Sequence, residues 1–404
     1  MKIIVVGGGP AGMMAAYQLM KDHEVILLER NNSLGKKLLV TGNGRCNITN
    51  NKPTKELIKR IHHGKFLFSA LSKFHPQAII SFFNENGVPL KEEDNQRMFP
   101  ESDKAVDILK VFEEELNKIT KFNTKVIDLL IENDEIKGVI TETGTILADR
   151  VIMATGGVSY GALGSDGLGH EILQKHGVEI TDLYPVETSL ISREPLDLQG
   201  LTLKNKKVMV KDNHQKVVYS TTGDVLFTHF GLSGPAIMLC SEHVHHLLKV
   251  QESVSLECAL ISHYTQEAFF TQIVSQPAKK LTNVLSFYLP KRMVSFVLNL
   301  QGIDENALVR ELSHKRVRQL IEALFHFKVE IHEVMDIKKA IVTGGGVSLD
   351  EVNPQNFASK RFKNLFMIGE LLDLHGEMGG YNLTLALVSG YVCAREVSAS
   401  QLTN

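Results

Sequence analysis

The chain has 404 residues, 43% of them hydrophobic, enough for a large buried core and for two or three domains. A net charge of −2 makes no demand for a nucleic acid or an anionic membrane as partner, and no apolar run reaches the ~18–20 residues that span a bilayer. Cys46, Cys240, Cys258 and Cys393 are widely spaced with no C-x-x-C pair, which argues against a disulfide framework or a cysteine zinc site and for a cytoplasmic protein.

From the N-terminus, the run Ile3-Ile4-Val5-Val6 predicts a strand that begins at Lys2, so no secretory leader is expected. It leads into Gly7-Gly8-Gly9-Pro10-Ala11-Gly12, an amphipathic helical stretch, and a second strand, Val25-Ile26-Leu27-Leu28, that ends at Glu29. This is a complete dinucleotide-binding unit. Gly7 serves a tight turn, Gly9 a close approach to a pyrophosphate, and Gly12 close packing of helix on strand. The helix N-terminus offers unpaired N–H groups and a positive dipole end to phosphate. Glu29 stands 22 residues after Gly7, where a carboxylate accepts from a ribose diol and repels a 2′-phosphate. An FAD- or NAD-type adenosine is therefore expected rather than NADP.

Beyond Glu29 comes a second glycine-rich, cationic segment, Gly35-Lys36-Lys37-Leu38 with Thr41-Gly42-Asn43-Gly44-Arg45-Cys46-Asn47, suited to following an extended ligand. Helices are expected near 75–86 and 103–119. An antiparallel meander follows over 124–131, 136–143 and 145–147, turning at Asn133-Asp134 and Thr143-Gly144. A parallel strand, 150–154, ends in Thr155-Gly156-Gly157, and helix 167–176 stops at Gly177. Short alternating strands over 190–259 suggest a β-rich second domain. The segment 264–327 reads as helical, broken at Pro277 and Pro290. Strands return at 329–334 and 340–343, before Gly344-Gly345-Gly346, and at 365–368, before Gly369-Glu370. Gly379-Gly380-Tyr381-Asn382 opens a C-terminal helix that runs to about 396.

Three glycine-ended strands, at Gly7–Gly12, Thr155–Gly157 and Gly369–Glu370, fit one doubly wound sheet with its ligand crevice at the strands' carboxyl ends. A helix opening at Gly379-Gly380-Tyr381-Asn382 suits the N1–C2=O edge of a flavin. Gly344-Gly345-Gly346 makes no second dinucleotide site, because Leu349 stands where the third glycine belongs. Cys46 reads first as a small residue in a tight loop. His229 is either an acid or substrate contact or a structural residue. Glu370, Asp373, His375 and Glu377 match no metal-ligand template and read as polar flavin contacts. Residues 275–340 carry eleven Lys/Arg against seven Asp/Glu, either a solvated face or one that meets RNA.

Together these motifs, with Leu226-Phe227-Thr228-His229-Phe230-Gly231-Leu232-Ser233-Gly234-Pro235, resemble the BaiN/RdsA, or YhiN-like, family of FAD-dependent oxidoreductases, which includes aminoacetone-oxidase-like members. The resemblance implies a Rossmann-like α/β FAD domain, a doubly wound parallel sheet with an antiparallel meander, interrupted by a β-barrel domain with a small helical insert. The boundaries expected are 1–188 and 341–404 for the FAD domain, 189–262 and 329–340 for the barrel, and 263–328 for the insert. It implies that Gly7, Gly9, Pro10, Ala11, Gly12, Glu29 and Arg30 hold the adenosine diphosphate half, with Val126 beside the adenine. Lys36, Lys37, Asn43, Gly44, Arg45, Cys46 and Asn47 would line the pyrophosphate and ribityl chain. Thr155, Gly156, Gly157, Gly369, Glu370, Gly380, Asn382 and Leu383 would complete the flavin end. His229 and Tyr381 are the only catalytic candidates, and no metal is expected.

The activity implied is hydride transfer through flavin N5, with NAD(P)H as a transient donor and a C=C bond as acceptor, such as a uridine of 23S ribosomal RNA or a steroid-like enone. The alternatives are an oxidase of a small amine such as aminoacetone and a non-catalytic flavin-containing binding factor. RNA contact would use the basic helical insert. Oligomeric state is open.

Overall fold

The computed structural model describes residues 1–194 and 196–399. It divides into two compact units, Met1–Tyr184 with Ile341–Asn404, and Pro185–Ala340.

The first unit is built on a five-stranded parallel sheet in the order Leu365–Met367, Arg150–Met153, β1 (Lys2–Val6), β2 (Glu24–Leu28), Thr120–Lys121. Val5 pairs with Ile152 on one side and Leu27 on the other. Ile3, Ile4, Val5, Leu27 and Ile152 have no exposed surface, as strands covered on both faces require. Helix α1 (Pro10–Leu19) lies against this sheet, and a Cβ on Gly12 would sit 1.9 Å from the Gly7 carbonyl oxygen. Its other flank meets the C-terminal helix, Tyr381–Ala399, where a Cβ on Gly390 would fall 2.3 Å from the Ala11 carbonyl oxygen. Closed in by sheet and helix, α1 is apolar nearly all round: Ala11, Met13, Met14, Ala15, Ala16 and Leu19 are all buried.

The meander forms as Val126–Glu132, Glu135–Thr141 and Gly144–Leu147. Asn133 and Asp134 both adopt positive φ, 51° and 58°, the two-residue hairpin turn whose twist matches its strands. Helix Leu168–Lys175 ends in a Schellman motif: Val178 N donates to Leu173 O, Gly177 N to Gln174 O, and Gly177 has φ +80°. A small antiparallel sheet of Thr49–Asn50, Arg97–Pro100 and Leu90–Glu93 has no counterpart in the sequence reading. Its strands are too short and polar to show a two-residue period.

In the second unit seven antiparallel strands follow the order Phe327–Ile331, Val254–Cys258, Thr202–Lys211, Val217–Phe227, Gly231–Ser233, Leu190–Ile191, Glu333–Val334. The first and last of these are separated in sequence only by His332, so the sheet must curl back on itself, as barrels do. The sequence reading is corrected in two places. Pro235–Leu248 is a helix rather than strand, with Ala236, Ile237, Cys240, Ser241 and Val244 buried at helical spacing. The return strand starts at Phe327, two residues earlier than expected. Helices Gln266–Val274, Leu281–Leu285, Lys291–Leu300 and His314–Phe325 fall between the strands Val254–Cys258 and Phe327–Ile331, and share one core with the sheet.

Candidate active site

The chemistry-bearing loops of the first unit all leave the carboxyl ends of the parallel strands, where a doubly wound sheet opens its crevice. Gly7 takes φ +106°, and its N–H donates to Leu28 O, which sets the turn against β2. The Glu29 carboxylate, 7% exposed, accepts from Gly8 N at 2.8 Å and from Asn31 N at 2.7 Å. It therefore ties the glycine turn to the end of β2. Thr124 N donates to Glu29 O, which draws the first meander strand, and Val126 at its start, toward the same corner.

Gly9 differs from its neighbours. As the N-cap of α1 it has φ −80° and ψ 179°, a backbone any residue adopts, and a Cβ built there would meet nothing within 4 Å. No side chain caps α1, no acid lies in its first turn, and Pro10 occupies its start. The first-turn N–H groups and the positive end of the helix therefore look onto open space that a side chain would fill, a fit for an anionic diphosphate. Asn47 Oδ1 and Thr155 Oγ1 are among the buried polar atoms that lack a hydrogen-bond partner among the described residues.

The cationic segment is distributed differently from a simple phosphate clamp. Lys37 Nζ lies 2.8 Å from Glu370 Oε2 and 2.8 Å from Ser159 Oγ. Glu370 Oε1 in turn accepts from Thr343 N at 3.1 Å. Lys36 Nζ reaches Asn31 Oδ1 at 3.5 Å, and Arg30 pairs with Asp166. Arg45 is held by Glu93 and Asp103, which raise its pKa, and its guanidinium lies 4.2 Å over the Phe99 ring. Asn43 and Cys46 take positive φ, 56° and 61°, in the tight turn around Gly42 and Gly44. Burial pushes the Cys46 thiol up to about 12, so it is neither a thiolate nucleophile nor a redox partner, and all four cysteines are free.

At the other end, Gly156 and Gly369 both take φ +73°, and Gly157 packs on Thr343, where a Cβ would meet Oγ1 at 2.3 Å. Gly369 N donates to Ser389 Oγ at 3.0 Å. Gly380, φ +94°, approaches the Thr49 carbonyl so closely that a Cβ would lie 2.6 Å away. The Asn382 side chain accepts from Gly376 N and donates to Gly376 O, each at 2.8 Å, closing the loop before the C-terminal helix. Tyr381, 3% exposed, begins that helix; burial raises its pKa and keeps the hydroxyl protonated, while Leu383 is half-buried. His229 lies exposed on the turn Thr228–Gly231 of the second unit, next to Phe230.

Sequence reasoning missed Ser159, Thr343, Asn31 and Asp166, ordinary residues whose role comes only from their partners. It also missed His62 and His63. The Arg60–His62 segment runs antiparallel to His375–Glu377: His62 N donates to His375 O at 2.8 Å and Glu377 N to Arg60 O at 2.9 Å. His62 stacks on His375, and His63 Nε2 lies 3.8 Å from Asp373 Oδ2. A separation of 310 positions or more hides such a grouping from any spacing rule.

The model of the HI0933-like protein Rossmann domain matches residues 1–396, and the chain belongs to that family. It is 30% identical over 407 residues to the 3-dehydro-bile acid delta(4,6)-reductase of Clostridium scindens, covering 98% of each chain. It is 29% identical over 409 residues to the ribosomal RNA dihydrouridine synthase of Escherichia coli, again covering 98% of each. Among solved structures, the 3-ketosteroid delta1-dehydrogenase of Sterolibacterium denitrificans matches 98% of this chain and 99% of its own, at a TM-score of 0.55 and 12% identity, a likeness of fold. The family and the Rossmann fold read from the glycine motifs are thus borne out, and the protein is a flavin-dependent oxidoreductase.

Proposed function

We propose that this member of the HI0933-like family binds FAD and reduces a C=C bond conjugated to a carbonyl, with NAD(P)H as electron donor. The observation that carries the reading is the uncapped N-terminus of α1 over a glycine, Gly9, that no protein contact explains. The bile-acid reductase and the dihydrouridine synthase, by their names, each act on an unsaturated bond, and a C=C conjugated to a carbonyl is the chemistry common to such substrates.

When bound, FAD supplies the hydride through its N5. The protein's part is positioning and electrostatics. The α1 N-terminus and Gly9 receive the diphosphate, Glu29 holds the ribose beside the Gly8 and Asn31 amides, and Val126 borders the adenine. The first turn of Tyr381–Ala399, with its N–H groups and positive helix end, would stabilise negative charge on a bound flavin. Asn47 Oδ1 and Thr155 Oγ1 are acceptors still lacking partners. Tyr381, with its proton retained, is the donor we favour for the substrate's α-carbon.

Ribosomal RNA is the preferred substrate. On the helical insert Lys291, Arg310 and Lys315 are exposed and have no ion-pair partner among the described residues, and Phe287 is 85% exposed. Exposed cations and a bare aromatic ring carried on one insert suit unstacked RNA. Arg318 and Arg316, by contrast, are engaged by Glu267 and by the Gln301 carbonyl.

Anaerobic mixing with NADH or NADPH should bleach the flavin, and 23S ribosomal RNA from a strain lacking the gene should restore its colour. Mass spectrometry of that RNA should show loss of dihydrouridine. Unchanged dihydrouridine removes the RNA substrate and leaves a small enone. A flavin that neither nicotinamide reduces sinks the reductase reading.

A further inference from the structure

We infer that His62, His63 and Asp373 form a site for one divalent transition-metal ion. This site stands apart from the flavin reading and survives its failure. One ligand atom from each of the three residues lies within 4.8 Å of the other two. The His63 Nε2 and Asp373 Oδ2 atoms are 3.8 Å apart, too far for a hydrogen bond. Two ligands on a tetrahedral cation with bonds of ~2.0–2.1 Å sit about 3.3 Å apart, so His63 and Asp373 need to approach by only about half an ångström, and side-chain rotation closes the rest of the set.

Two further observations point to a ligand. Asp373 is 8% exposed, and its Oδ1 has no hydrogen-bond partner among the described residues, an expensive state for a carboxylate oxygen. His63 takes φ +54° and ψ 24°, a left-handed backbone that histidine seldom adopts. That twist brings the rings of two consecutive residues to centroids 3.9 Å apart instead of sending them to opposite sides. The antiparallel pairing of Ile61 with Gly376 fixes the segment that carries both histidines, and the His375 ring stacks on that of His62. The site is therefore held by backbone ladders as well as by side chains.

Two imidazole nitrogens and one carboxylate oxygen select zinc, cobalt, nickel or iron(II) over magnesium and calcium, which prefer all-oxygen cages. His63 has a side chain 51% exposed, so the fourth position faces water, an arrangement of three protein ligands with one place open.

The test is isothermal titration calorimetry of zinc into the tag-free full chain, with magnesium in parallel. One saturable zinc equivalent and no magnesium binding are expected. His63→Asn, which tolerates the left-handed backbone, and Asp373→Asn should each weaken zinc binding by at least ~tenfold. His246→Ala, on the helix Pro235–Leu248, should leave this equivalent intact. Thermal melts without zinc establish that each variant is folded; should Asp373→Asn fail to fold, His63→Asn decides. Absence of a saturable equivalent in the unsubstituted chain, or one untouched by His63→Asn, overturns the site.

Discussion

Two turns in the first unit carry three glycines in a row, and they are glycine-rich for opposite reasons. At Gly344-Gly345-Gly346 the neighbouring protein fills the space. A Cβ there would meet the Tyr184 ring at 2.3 Å, the Asp182 carbonyl oxygen at 2.1 Å or the Leu372 carbonyl carbon at 2.6 Å. At Gly7-Gly8-Gly9 the crowding stops at the third residue, beyond which lies open space at a helix N-terminus. A glycine enforced by packing is a statement about the fold. A glycine in a relaxed backbone, facing nothing, is a statement about a ligand.

The largest effect expected is from Gly345→Ala. It places a methyl against backbone at φ +78°, which should cost about 3 kcal/mol or more and show as loss of soluble protein or a collapsed melting temperature. Gly9→Leu should do the reverse: melting of the flavin-free chain shifts by no more than about 1 kcal/mol, while flavin affinity falls roughly a hundredfold or more. Full flavin content in that variant would erase the distinction between the turns. Glu29→Ala sharpens it, because this carboxylate serves both fold and ligand. It removes two charge-assisted bonds to backbone, each worth about 1.5–3 kcal/mol, and should weaken FAD roughly tenfold to hundredfold. A purely structural Glu29 would lower stability and leave affinity alone.

Cys46→Ala is the smallest. Burial lifts this thiol from 9.0 to about 12, so the folded state holds a proton that the unfolded chain releases. The resulting stability is fully present below pH 9 and is lost as pH rises toward 12. Turnover of Cys46→Ala at neutral pH should match that of the unsubstituted enzyme, and alkaline unfolding should become less steep. Rapid alkylation of native Cys46 at pH 7.5 would contradict the buried, protonated thiol.

Much of the fold is legible because its signals are local. The turn at Asn133-Asp134, the stop at Gly177, and the strand–turn–helix–strand unit each depend on residues a few positions apart. The helix Pro235–Leu248 escaped because Met238, Leu239, Leu247 and Leu248 add apolar residues outside its buried positions and blur the contrast between helical and strand periods. Site residues divided along the same line. Backbone features such as Gly9 and Gly380 could be read from glycine spacing, whereas the partners of charged side chains could not.

From sequence alone came the dinucleotide unit, the parallel sheet and the family, since hydrophobic period and glycine geometry act over short stretches of chain. Tertiary structure decided where the charges went: Lys37 to Glu370, Arg45 to Glu93 and Asp103, and His62 and His63 to Asp373 and His375. A charged or metal-binding side chain takes its chemistry from atoms within a few ångströms, and only the folded chain brings residues 63 and 373 that close.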